Sequence, residues 1–376
     1  MQIGLKRAIL VVAAMTCMLA TTLVASRIGY GQRLAGAAGA SLDGSGFAVT
    51  MNTSGDAARI YLASFEKLSC LDARNGKALW SEKTPYGSID TDPVVSDNMV
   101  LYAGGGGAWT IYGVSAETGQ ILWQKRHTSF SLATAPGSLF VDGPSSGVTA
   151  LAPRTGKKVW AFEGIGPGSI GKIFYYEGKI FTSNYILDAR TGELVKRLNS
   201  SPRVFAASEG KVFGANLSGM LKAWEVTSAK VLWSVKTSST TQAVAVAANP
   251  DYVFAVFYDD QPFFAHRGVL KAYAASDGRL VWERPLTSES QGLENSPIGA
   301  DGQYVYLIEP TETAHGSRVI ALDAQTGKVV WSRQTTQADG PPVSSGKTVY
   351  IASGNNVLLA IDKKSGKVMR TFSFPK

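Results

Sequence analysis

At 376 residues the chain has the length of about two ordinary domains or of one continuous repeat array. Its 45% hydrophobic and 18% charged residues supply enough apolar material for a sizeable core and exclude wholesale disorder, while 40 glycines and 15 prolines without a collagen period point to a turn-rich all-β chain. The formal charge of +8 raises nucleic acid as a partner, but Lys6, Arg7, Arg27 and Arg33 all fall in the first forty residues, which hold no acid; the rest is nearly balanced, and nucleic acid is not expected.

The first segment reads as an address. Lys6 and Arg7 precede an uncharged run from Ala8 to Ala25, the pattern of an export signal. Its eighteen residues also approach the roughly 20 needed to cross a bilayer, so cleavage and retention as an anchor both stay open for residues 1–28. Either way the bulk of the protein is expected outside the cytoplasm, at the periplasmic or extracellular face, with the membrane touched only through this segment. Cys17 lies inside the run, and Ala14-Met15-Thr16-Cys17 is a poor lipidation signal. With Cys70 as its only companion, neither a zinc site nor a framework disulfide is expected. Residues 29–45, rich in Gly and Ala, read as a flexible lead-in to a domain spanning 46–376.

Within that domain one phrase returns eight times: LDARNGKALW from Leu71, VSAETGQILW from Val114, LAPRTGKKVW from Leu151, LDARTGELVK from Leu187, WEVTSAKVLW from Trp224, YAASDGRLVW from Tyr273, LDAQTGKVVW from Leu322 and IDKKSGKVMR from Ile361. The glycine slots, with Ala229 the exception, average about 41 residues apart, the spacing of propeller blades. Each phrase reads as a strand, a turn closing on Thr-Gly or Ser-Gly, and a second strand. The glycine permits the positive φ that such a turn requires, so Ala229 predicts a strained or altered turn. Upstream β-rich runs such as Asn98 to Ala103 and Lys211 to Ala215 complete four strands per unit. A lone four-stranded sheet cannot cover both faces, so the units must stack, and a ring removes the exposed ends. Trp80, Trp123, Trp160, Trp233, Trp282 and Trp331 occupy one slot and are expected as wedges between blades. Lys196 and Arg370 replace the wedge in the fourth and eighth copies, where weaker blade contacts are predicted.

The phrase Leu322 to Trp331 resembles the tryptophan-docking repeat of pyrroloquinoline-quinone-type propellers, over about nine tenths of the chain. That resemblance implies an eight-bladed β-propeller of four-stranded antiparallel blades. It does not select a function, because the same repeat builds quinoprotein dehydrogenases, the propeller lipoprotein of the outer-membrane β-barrel assembly machinery, and extracytoplasmic sensor domains. The dehydrogenases hold their quinone against adjacent cysteines with calcium beside it; no adjacent cysteine pair exists here, and Cys70 reads as a small core residue. No catalytic residue, cofactor or metal is therefore predicted. Pyrroloquinoline quinone with calcium, and a small-ligand sensor, remain the alternatives to a monomeric, non-catalytic scaffold for an envelope protein or peptide, in the manner of the assembly lipoprotein.

Local motifs dissolve into the repeat. Gly143-Pro-Ser-Ser-Gly147 has the spacing of a hydrolase elbow but is followed by a strand. Ser345 to Thr348 reads as a hairpin turn, and His127, His266 and His315 as loop or solvent-facing histidines without ligand spacing. Asp259-Asp260 reads as a pair of solvated loop carboxylates. A site, if present, is expected where the leads into the innermost strands converge on one face. Thr91-Asp92-Pro93, Asn295-Ser296-Pro297 and Gly340-Pro341-Pro342 are equivalent leads, so Asp90, Asp92, Glu294, Asn295 and Asp339 form the candidate channel mouth, with Arg203 adding a positive charge. Phe263 and Phe264, after a proline in one of the longest repeat intervals, are a candidate exposed contact patch.

Overall fold

Eight four-stranded antiparallel sheets stand in sequence order in the computed structural model, with each blade built from four consecutive strands. The blades span residues 48–83, 94–126, 132–162, 174–197, 204–236, 241–285, 298–336 and 343–373. A separate two-stranded pairing joins Arg33–Leu34 to Ala37–Ala38. The structure describes residues 33–34, 37–38 and 48–373, except 53–58, 64–66, 74, 86–88, 90, 105–109, 128–130, 143–146, 165–171, 200–201, 238–240, 260–267, 287–297, 312–315, 337, 339–340 and 354–356. The described residues contain no helix, and so none long and apolar enough to cross a membrane; the apolar run from 8 to 25 lies outside them.

The core is distributed over eight seams rather than gathered in one centre. Alternation along each strand sends one set of side chains to the preceding blade and the other to the following one. In blade 7, for example, Val305 and Leu307 join the cluster shared with blade 6, while Tyr304, Tyr306 and Ile308 join the cluster shared with blade 8. Among the described residues no strand is exchanged between the first and last blades. Val343, Ala352, Leu358, Ala360 and Phe372 of blade 8 pack there against Ile60, Leu62 and Leu71 of blade 1.

The repeated phrase explains the seams residue by residue. All eight turn slots take positive φ, from +54° at Ala229 to +80° at Gly119. In the Asp-containing copies the carboxylate organises the turn: Asp188 accepts from the Arg190 and Thr191 amides at 3.0 and 3.1 Å, and Asp323 accepts from Thr326 in the same way. One residue is then bulged out of the outer strand, as the register breaks between Ile121 and Trp123 and at the matching place in the other seven blades. The bulge turns the next side chain onto the following blade. There Trp80, Trp123, Trp233, Trp282 and Trp331 donate their indole N–H to the carbonyls of Ala116, Pro153, Ala275, Ala324 and Lys363, at 2.7 to 3.2 Å. Trp160 lies on Gly192 of the next turn in the same manner.

At the two slots without tryptophan the seams are filled differently. Lys196 sends its ammonium to the Ala229 carbonyl at 2.8 Å, the turn-slot carbonyl that Lys125 and Arg333 bond at Gly156 and Gly366 in other seams, while Trp224 and Leu198 fill the apolar space. In blade 8 the filling group is Phe372, two residues beyond Arg370 on the same face, which lies over Gly76, with the Arg370 guanidinium 5.9 Å from its ring centre. Inner strands of successive blades lie side by side at six of the eight seams; at 4–5 and 8–1, the two whose docking slot lacks tryptophan, they approach less closely.

Candidate ligand-binding site at the channel mouth

Antiparallel order places all the tight turns of the repeated phrase on one face of the ring and all the leads into the inner strands on the other. The inner strands Val94–Ser96, Phe174–Tyr176, Val204–Ser208, Ile298–Ala300 and Val343–Ser345 surround the axis. Residues two positions before them converge on that second face. Asp92 occupies this position in blade 2 and Lys172 occupies it in blade 4.

These two are each other's charged neighbours. Burial pushes the Asp92 carboxyl well above the usual carboxylate range, and the Lys172 ammonium only partly offsets it. Burial likewise pulls Lys172 down, with Asp92 opposing. Asp92 retains some accessible surface, but its Oδ1 is enclosed and receives no hydrogen bond from the described residues. The adjoining backbone is pegged on both sides. Thr91 Oγ1 accepts from the Ala103 amide at 2.8 Å. On the lysine side, the Ile173 amide donates to Ser131 Oγ at 2.9 Å, and the Ser131 amide donates to Asp142 Oδ1 at 3.0 Å. Thr91, Ser131 and Asp142 are all buried, so the two charges are held by interior polar groups rather than by a loose rim.

Of the sequence-derived mouth residues, Asp92 stands in this cluster. Arg203 is exposed, with its amide bonded to the Ala215 carbonyl at 2.8 Å. Lys172, rather than Arg203, is the positive charge acting on Asp92. Asp90, Glu294, Asn295 and Asp339 lie outside the described residues, as do Phe263 and Phe264. Lys172 was missed because it belongs to no proline-marked lead; its signal was its offset from the next repeat.

His127 follows the outer strand of blade 2 in a loop, one of the two placements expected of it. It is half-buried, its Nδ1 is enclosed with no hydrogen-bond partner among the described residues, and burial lowers its pKa against the opposing pull of Asp142. His266 and His315 lie outside the described residues. Cys70 is fully buried, and burial drives its thiol up to about 12, which leaves little nucleophilic thiolate. In blade 6, Phe254, Phe257 and Tyr258 are core. Among the described residues no three His, Cys, Asp or Glu side chains gather as a metal-binding group.

Fold and repeat together define a tryptophan-docking β-propeller, closed by eight consecutive blades. The sequence model of the family described as outer membrane protein assembly factor BamB matches residues 31–167 and 144–372, and the chain belongs to that family. Among solved structures, the computationally designed Ika8 protein is similar with a TM-score of 0.62 at 13% identity, over 89% of this chain and 98% of that one. The quinohemoprotein alcohol dehydrogenase ADHIIG from Pseudomonas putida HK5 gives 0.60 at 14% identity, over 86% of this chain and 71% of that one. BamB from Moraxella catarrhalis gives 0.42 at 18%, over 89% and 93%. At these identities the likeness concerns the fold alone. No protein with a curated description matches the chain.

Proposed function

We propose that this chain is an exported, non-catalytic propeller that holds a protein or peptide in the cell envelope, in outer-membrane protein assembly. The observation that carries the reading is the BamB family match, which extends over both halves of the ring. The basic-then-apolar amino terminus fits export. Among the described residues the outer strand of every blade is the last in its sheet, an edge of the kind that can accept an added strand. Exposed aliphatic side chains, among them Leu122, Val159 and Met369 at the bulges, lie along those strands. Such binding requires a rigid body and a shaped surface, and no reacting group.

Capture of the full-length chain from its native envelope tests the reading. A recovered envelope protein or peptide supports it. Recovery of a small molecule alone, or dye reduction with alcohols after addition of pyrroloquinoline quinone and calcium, would replace it with sensing or with oxidation.

A further inference from the structure

The cluster at the mouth has properties that a solvated rim does not explain. Two opposite charges are partly withdrawn from water at equivalent positions two blades apart. One enclosed carboxylate oxygen has no donor among the described residues. Buried hydroxyls fix the backbone beside each charge. Withdrawing charges from water opposes folding unless they pair with good hydrogen-bond geometry, and an enclosed acceptor without a donor adds to that penalty. An arrangement held by its second layer but incomplete in its first is the pattern of a preorganised recognition site.

The pair also restricts what it recognises. A simple anion is drawn to Lys172 and repelled by Asp92; a simple cation meets the reverse. A neutral group with a donor and an acceptor a few ångströms apart satisfies both, its N–H directed at the carboxylate and its C=O at the ammonium. The peptide amide and the Asn or Gln side chain have that form.

We infer that the Asp92–Lys172 pair is a docking point for an uncharged amide-bearing loop of a polypeptide partner, presented to the channel mouth. This deepens the scaffold reading and rests on it. Ser131 and Asp142 are positioning residues, acting through the Ile173 amide on the backbone that carries Lys172.

The test uses the full chain with its lysine side chains isotopically labelled, titrated to millimolar concentration with the uncharged peptide acetyl-Gly-Asn-Gly-amide. Glycine, acetate and methylammonium serve as separate arms. The peptide should shift the Lys172 resonance. Asp92→Asn and Lys172→Met should each weaken binding about tenfold or more, as loss of one charge-assisted hydrogen bond implies. The double variant Asp92→Asn/Lys172→Met should keep or raise the thermal midpoint, because it removes two partly buried charges together. A midpoint lowered by several degrees, with peptide binding unchanged, would make the pair a structural element and overturn the inference. Tighter binding of glycine than of the peptide would make it a small-zwitterion site and overturn it equally. If Lys172 ignores the peptide while the native envelope partner is still captured by the double variant, the inference fails and the scaffold reading stands; if even the wild-type chain captures no partner, the scaffold reading itself fails.

Discussion

In the fourth copy the docking slot, its cross-strand partner and the turn residue it faces all change together, whereas in the eighth copy Arg370 still pairs with the small Ala360. Wherever tryptophan wedges a seam, the residue paired with it across the sheet is small: Cys70, Gly113, Ala150, Ala223, Ala272 or Ala321. The turn residue it meets on the next blade is then glycine. A Cβ at Gly327 would stand 2.8 Å from the Trp282 ring, and one at Gly366 would stand 2.7 Å from Trp331. At the fourth copy, where Lys196 replaces the indole, its cross-strand partner is Ile186 and the facing turn residue is Ala229. Glycine in this turn therefore serves two needs, positive φ and room for an indole, and Ala229 keeps only the first, at +54°. Gly327→Ala should cost about 2–4 kcal/mol from backbone strain and overpacking. Ala229→Gly should fall within about 1 kcal/mol of wild type, since relief of strain is offset by a more flexible unfolded chain. Chemical denaturation of the two variants checks the contrast, and equal costs would contradict the dual role.

At the scale of the element, the turns on the repeat's tight-turn face also tie neighbouring blades. Asp301, between Ile298–Ala300 and Tyr304–Pro310 of blade 7, accepts from Ser344 and Lys363 of blade 8 at 2.7 and 2.9 Å. It also accepts from Tyr306 at 3.0 Å and from the Gln303 and Tyr304 amides, both at 2.9 Å. Burial alone would raise its pKa, but these donors outweigh it, Lys363 foremost, and the carboxyl titrates below its ordinary value. A depressed folded pKa adds stability that is complete above the unfolded value, about 3.9, and is lost as pH falls through the folded one. Asp301→Asn should therefore lower stability at neutral pH by about 1–3 kcal/mol and should flatten the acid limb of a stability–pH profile; an unchanged acid limb would remove Asp301 from that role.

What the sequence made legible follows from the same elements. The blades could be read because each turn slot recurs with its glycine and its tryptophan, which are short-range signals. Phe372 was hidden because it docks two residues past the slot that Arg370 occupies, and only strand alternation links the two. Lys172 and Asp92 meet through ring closure across two blades, a juxtaposition that no local spacing encodes. The fold was thus readable from repetition, whereas the mouth required the ring itself.

For the whole molecule, the two seams whose docking slot lacks tryptophan fall four blades apart and divide the ring into blades 1–4 and 5–8. Both carry a basic residue in the docking slot, Lys196 and Arg370, and at both the inner strands approach less closely. The 8–1 seam is also where the first and last blades meet, with no strand exchanged between them among the described residues, and Phe372 does there what an indole does elsewhere. Phe372→Ala should cost about 3–5 kcal/mol, the usual price of emptying a buried aromatic site. Hydrogen exchange should show the added opening first in strands of blades 1 and 8; protection lost uniformly around the ring would contradict a weak seam.

The central claim is that a polypeptide of the envelope docks on the face where the inner-strand leads converge. A photo-reactive residue in place of exposed Arg203, which leads into the inner strand of blade 5 on that face, tests it most directly when the full-length chain is irradiated in its native envelope. The expected result is a discrete covalent adduct with a second envelope protein or peptide, weakened when Asp92→Asn and Lys172→Met are combined in the same chain. No adduct from Arg203, with a strong adduct from a photo-reactive residue placed in the turns of the opposite face, would contradict it.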